Sequence, residues 1–114
     1  MLTMSLTAQT NTKDATTRKY TKENPLVYED SWDLWPYSFL NEEGKPTGFN
    51  IELIDAIMRR LDIPYVVKLK AEEDAFRDLG DRRSDLMCGM YTEEHKKYGL
   101  FSNNVICLFT HSIV

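Results

Sequence analysis

The segment that most constrains the fold is Asn50–Leu61, where NIELIDAIMRRL sets Ile51, Ile54, Ile57, Met58 and Leu61 at helical spacing along one face. That strip has to be covered. The segments on either side, LVYED (26–30) and YVVKLK (65–70), are short and apolar enough to be the strands that cover it. Asn50 is placed to cap the helix, Glu52 and Asp55 lie near its start, Arg59 and Arg60 near its end, and Asp62-Ile63-Pro64 stops it. A helix between two strands reads as a crossover unit.

The pattern continues downstream. Phe76 and Leu79, three apart, predict a shorter helix ending at Gly80, and DLMCGM (85–90) predicts a buried strand. TEEHKKYG (92–99) predicts a helical turn capped by Thr92, and VICLFTHSIV (105–114) a last long strand. Between LVYED and the long helix, Tyr37 and Phe39 alternate ahead of an Asn-Glu-Glu-Gly turn (41–44), which predicts a small hairpin. This order belongs to the α/β class, with a mainly parallel sheet of about five strands flanked by helices.

At 114 residues and 42% hydrophobic the chain has material for one domain. Residues 1–24 are rich in Thr, Ser, Asn, Gln and Lys and are expected to form a flexible leader, while 25–114 carry the fold. The opening MLTMSLTAQ is open to two readings, the remnant of a signal peptide or a start with no targeting content. A net charge of −4, with both signs interspersed, excludes a nucleic-acid partner. No apolar run approaches the roughly 18 to 20 residues that cross a bilayer.

No nucleophile elbow, phosphate loop or zinc-binding helix is present, and the adjacent glutamate pairs diverge, so the expectation is no catalytic residues, no metal and no cofactor. His95 and His111 are too few for a metal site. Cys88 and Cys107 each read as a buried hydrophobe in a strand, with a single bridge between neighbouring strands left open. In open α/β sheets ligands bind beyond the carboxyl ends of the strands. The loop after the first strand offers Trp32 and Trp35, suited either to enclosing a small ligand or to packing over the core edge. KAEED (70–74) reads as solvated. CGMYTEEH (88–95) is the best candidate, because Gly89 lets backbone amides approach a ligand and Thr92 stands at a helix start that favours an anion.

Pro36-Tyr37-Ser38-Phe39, Gly48-Phe49-Asn50 before the apolar helix, Leu79 with Asp85 six residues on, Thr92, and Phe101-Ser102 together resemble the N-terminal lobe of family-three extracellular solute-binding proteins. That family includes amino-acid-binding components of uptake transporters and sensory modules of membrane kinases. The resemblance implies one lobe of a periplasmic-binding-protein type II fold, a periplasmic location and a non-catalytic role for this chain. Its leading functional implication is the ligand-sensing domain of a membrane-bound two-component sensor histidine kinase, tied to the membrane through other parts of that protein. The alternative is the solute-binding component of an ABC-type uptake transporter.

The candidate ligand-binding residues are therefore Trp32, Trp35, Gly89 and Thr92 from the loops after the strands, with Met90 and His95 added by the resemblance. Amino-acid binders of this type carry an arginine three residues after the threonine and a hydroxyl residue two before it; His95 and Met90 stand there in this chain. The expected partner is therefore a small solute, or a partner protein, other than an ordinary α-amino acid. For His95 two roles stay open: a pH-dependent anion contact, or a surface residue of a lobe that has given up that subsite. Half of a clamp is expected to bind small solutes weakly or not at all, and to self-associate through its exposed hinge strand.

Overall fold

Successive residues of a strand face opposite sides of the sheet, so a strand that is apolar on both faces needs a helix on each. The computed structural model describes residues 2–8 and 19–109, with side chains described for 19–102. In chain order the elements are β1 (Leu2–Ala8), β2 (Leu26–Ser31), β3 (Asp33–Leu34), β4 (Ser38–Leu40), β5 (Pro46–Thr47), α1 (Phe49–Leu61), β6 (Tyr65–Lys70), α2 (Glu72–Gly80), β7 (Leu86–Met90), a 3-10 turn (His95–Lys97) and β8 (Leu100–Phe109).

Alternation along β2 and β7 divides the core in two. Tyr28 and Cys88 join Leu26 with Ile54 and Met58 of α1, whereas Met87 joins Ala75, Phe76 and Leu79 of α2. The helices therefore cover opposite faces of one sheet. Along α1 the buried residues are Asn50, Ile54 and Met58, while Leu61, expected on the apolar face, is exposed.

The main sheet has five strands in the order β6-β2-β7-β1-β8 and is mixed, which corrects the expectation of a mainly parallel one. β2 pairs with β6 and β7 in parallel, but β1 runs antiparallel to both β7 and β8. β1 lies in the stretch expected to be a flexible leader. Its sequence explains the strand: Leu2, Met4, Leu6 and Ala8 alternate with Thr3, Ser5 and Thr7. Residues 9–18 of that stretch, and 110–114 of the expected last strand with His111, lie outside the described residues.

β1 also bears on the cysteines. Its Leu6 is level with Cys88 of β7 and its Met4 with Cys107 of β8, so the two cysteines are on strands separated by a third. At about 4.8 Å per strand the separation is near twice that, beyond the reach of a disulfide. Cys88 is a free, buried thiol. The side chain of Cys107 lies outside the described residues.

The hairpin forms a second sheet in the order β3-β4-β5. At its turn Asn41 Oδ1 accepts from the amides of Glu43 and Lys45, each at 2.9 Å, and Gly44 takes φ 77°. The hairpin leads into α1 through Gly48, which stands at the N-cap with φ 120°; Asn50, expected as the cap, lies inside the first turn. A Cβ on Gly48 would sit 2.4 Å from the Tyr37 carbonyl oxygen. The close approach lets Phe49 N–H donate to the Pro36 carbonyl and Asn50 N–H to that of Tyr37, at 3.0 and 2.8 Å.

Gly48→Ala combines a disfavoured φ with that clash, so it is expected to cost at least about 2 kcal/mol. Urea unfolding of the two chains checks this, and an unchanged midpoint would show that the lead-in to α1 is not under that constraint.

Candidate functional site

The crossover through α1 carries the chain from β2 to β6 on one side, and the crossover through α2 brings it back to β7 on the other side of β2. The winding direction thus reverses at the β2–β7 pair. In open α/β sheets ligands bind at the carboxyl ends of strands beside such a reversal, here at Ser31 and Met90. The pair is anchored at its other end by Asp85, whose Oδ2 accepts from Val27 N–H at 2.8 Å.

Beneath the β2 terminus lie two buried carboxylates, Glu29 and Asp30, on opposite faces. Asp30 accepts from Ser31 N–H at 2.7 Å, from Asn50 Nδ2 at 3.0 Å and from the Tyr28 hydroxyl. Burial pushes its carboxyl up to about 6 against the pull of those bonds. The same burial raises the Tyr28 phenol well above its ordinary value. Glu29 shares the Lys70 ammonium, 3.1 Å from its Oε2, with Asp78. The ammonium serves Asp78 best. Asp78 is held below the ordinary carboxylate value chiefly by Lys70, whereas burial pushes Glu29 up to about 7, with a hydrogen bond to Asp78 adding to the rise.

Above the β7 terminus, four sequence elements converge. Thr92 Oγ1 accepts from His95 N–H at 3.0 Å and so closes the turn that leads into the 3-10 segment, whose N-cap position falls to Glu94 and not to Thr92 as expected. The turn brings His95 inward: its ring stacks on Phe76 with centroids 3.8 Å apart, Nδ1 lies 2.9 Å from the Met90 carbonyl oxygen and Nε2 3.0 Å from Glu73 Oε1. Both ring nitrogens are taken by acceptors of this chain. His95 is a buried brace, which differs from both the anion contact and the surface residue considered from sequence.

The other expected site residues are placed as follows. Met90 is half-buried beside His95. Gly89 is covered by Phe76, since a Cβ there would meet the ring at 2.4 Å, so the glycine makes room for α2. Trp32 is 50% exposed, and its backbone N–H donates to the Lys70 carbonyl at 3.0 Å, at the carboxyl end of β6. Trp35 is 75% exposed and belongs to the hairpin, tilted against Phe39 at 6.5 Å. Met90, Thr92 and His95 are therefore brought together, and Trp32 and Trp35 lie apart from them, Trp32 by its backbone on β6 and Trp35 in the hairpin.

Two residues of the site were passed over in the sequence. Glu73 holds His95, and Glu72 is half-buried near Met90 and His95, its carboxyl raised by burial. The KAEED loop reads as solvated because it is charged throughout, but it follows a parallel strand directly, and that position was the usable signal. Behind the turn, a cleft of about 570 Å³ is lined by Tyr91, Lys96, Gly99, Leu100, Phe101 and Ser102. Among the described residues no group of three or more His, Cys, Asp or Glu is placed to hold a metal ion, and no helix is long and apolar enough to cross a membrane.

Residues 27–114 match the family described as bacterial extracellular solute-binding proteins, family 3. None of the curated proteins matches the chain. Among solved structures, a histidine kinase sensor domain with similarity to periplasmic binding proteins is 30% identical, with 64% of this chain and 32% of that chain covered and a TM-score of 0.60. The arginine-bound form of domain 1 of TmArgBP, from T. maritima, is 27% identical over 74% of this chain and 64% of that one, with a TM-score of 0.60. The arginine-, lysine-, histidine-binding protein ArtJ of Geobacillus stearothermophilus, at 24% identity, shares the fold over 64% of this chain and 32% of its own, with a TM-score of 0.58. The chain thus spans 32% of the sensor domain and of ArtJ.

These relatives overturn the expectation that ordinary α-amino acids are not the partner. That expectation rested on His95 and Met90 as failed carboxylate ligands. Since His95 is turned into the lobe, its identity carries no information about a ligand's carboxylate.

The buried carboxylates make stability depend on pH. Glu29 at about 7 and Asp30 at about 6 lie above their ordinary values of 4.5 and 3.8, so the folded chain binds more protons than the unfolded chain between those limits. Their contribution is complete below the ordinary values and is lost as pH rises through the folded ones. Urea midpoints measured from about pH 5 to 8 are expected to fall, and Glu29→Gln to flatten the upper part of the fall. Midpoints that rise over this range would contradict the assignment.

Proposed function

The chain belongs to the bacterial extracellular solute-binding proteins, family 3, and on that premise we propose that residues 25–114 form the first lobe of an extracytoplasmic binding domain that takes a basic amino acid. The observation that carries the reading is the arginine-bound domain 1 of TmArgBP, matched at 27% identity over 74% of this chain. The site offers chemistry for such a ligand. Glu72 and Glu73 stand at the carboxyl edge where a ligand's cation would arrive, and Glu72 is half-buried, which strengthens any ion pair it makes.

The lobe fits the type II binding-protein architecture, in which a second lobe closes over the ligand and the closed form is favoured by its extra contacts. The expectation that half a clamp binds weakly or not at all has a counterexample in TmArgBP, whose domain 1 is arginine-bound. A solute-binding component of an ABC-type transporter is the preferred role, because the arginine-bound domain matches more of both chains than the sensor domain does. The sensor of a histidine kinase is the second reading, supported by 30% identity to such a domain.

Isothermal titration of the chain with L-arginine, L-lysine and L-histidine tests the ligand class. Binding of at least one is expected, and Glu72→Gln is expected to weaken it by about tenfold to a hundredfold, the worth of one charge-assisted hydrogen bond. Absence of heat with all three would refute a basic amino acid, and unchanged affinity in Glu72→Gln would move the cation's site elsewhere.

A further inference from the structure

The hydrogen bonds at a histidine's two ring nitrogens show where its protons sit. At His95 both partners are acceptors. The Met90 carbonyl oxygen, 2.9 Å from Nδ1, can only accept, so Nδ1 carries a hydrogen. Glu73 Oε1 lies 3.0 Å from Nε2, and a carboxylate also only accepts, so the bond there needs a second hydrogen on the same ring. The ring that makes both bonds is an imidazolium. Its side chain is 9% exposed and that of Glu73 65%, so the carboxylate answering this charge stands at the surface of the carboxyl edge. Glu72 of the same helix faces the ring's charge as well. From the turn, the Tyr98 ring stands 6.4 Å away, while Lys96 is drawn to Glu93 and Tyr91 and Lys97 to Tyr98.

We propose that His95 is an internal counter-ion of the acidic edge: doubly protonated, it occupies Glu73, and on losing the Nε2 proton it releases Glu73 to the cation of a ligand. This rests on the reading that the edge takes a basic amino acid. The Met90 carbonyl keeps the hydrogen at Nδ1, so the proton that leaves comes from Nε2. Nε2 then turns a lone pair towards the Glu73 carboxylate, and two acceptors do not hold each other. In the same step the edge loses one positive charge, so both glutamates attract an arriving cation more strongly. Imidazolium and ligand compete for one carboxylate. By reciprocity, binding of a basic amino acid favours release of the ring's proton.

Two measurements on the whole chain test this. The first is a nitrogen-15 spectrum of the histidine rings recorded across pH, with His111→Gln assigning the signals. His95 is expected to carry a hydrogen on both nitrogens at the acid end and to lose the one at Nε2 as pH rises. A ring with a single hydrogen throughout, or one that loses its hydrogen at Nδ1, would overturn the proposal, and this arm needs no variant of the site. The second is isothermal titration with L-arginine, whose guanidinium stays charged, over the same pH range. Affinity is expected to rise about fivefold across the ring's own transition, near the lower end of coupling between sites because Glu73 is exposed. Folded Glu73→Gln is expected to lose most of that rise. An affinity that is flat through the transition, or that rises equally in Glu73→Gln, would overturn the competition and leave the ligand class standing. Absence of binding at every pH would refute the ligand class and the competition with it.

Discussion

Much of the lobe depends on how one short strand ends with two carboxylates out of water. A buried carboxylate is costly unless its oxygens are met, and Asp30, with no accessible surface, is met from three directions. Tyr28 comes from the same strand, Ser31 from the next backbone amide and Asn50 from the first turn of α1. The last bond explains why α1 begins where it does. Gly48 lets the backbone pass close to Tyr37, and that passage delivers Asn50 to Asp30.

On the other face the same strand uses a different solution. Glu29 keeps its proton more readily than an ordinary carboxylate, and Lys70 binds Asp78 of α2, so β2, β6 and α2 meet around one ammonium. α2 is thereby fixed in its last turn, while at its start Glu73 holds His95 and at its middle Phe76 stacks on the same ring. The chain from sheet to helix to histidine is continuous. It positions Glu72 and Thr92 at the carboxyl edge beside Met90, whose carbonyl oxygen holds His95 Nδ1.

The parallel strands, the two helices and the hairpin were legible because their apolar residues repeat at a period of two or near 3.6. β1 was less so, although LTMSLTA alternates strictly; its polar positions are threonine and serine, and these drew the segment into the polar stretch that follows. Its insertion between β7 and β8 is a non-local pairing, and that made the sheet mixed. The burial of Glu29 and Asp30 at the end of LVYED was not legible, because it depends on Lys70, Asn50 and Asp78, which are distant in sequence. His95 was misjudged for a related reason. Its role is set by Phe76 and Glu73 of another helix, and a single position compared with a family pattern cannot reveal a side chain's direction.

The central claim is that the carboxyl edge beside the β2–β7 reversal, not the cleft behind the turn or the exposed Trp35 of the hairpin, receives a basic amino acid. A nitrogen-15 correlation spectrum of the labelled chain, recorded during titration with L-arginine, addresses that claim residue by residue. The account predicts that the amides of 70–73 and 90–95 shift together and saturate. Shifts confined to Trp35, Phe39 and their neighbours, or to Gly99–Ser102, would contradict it.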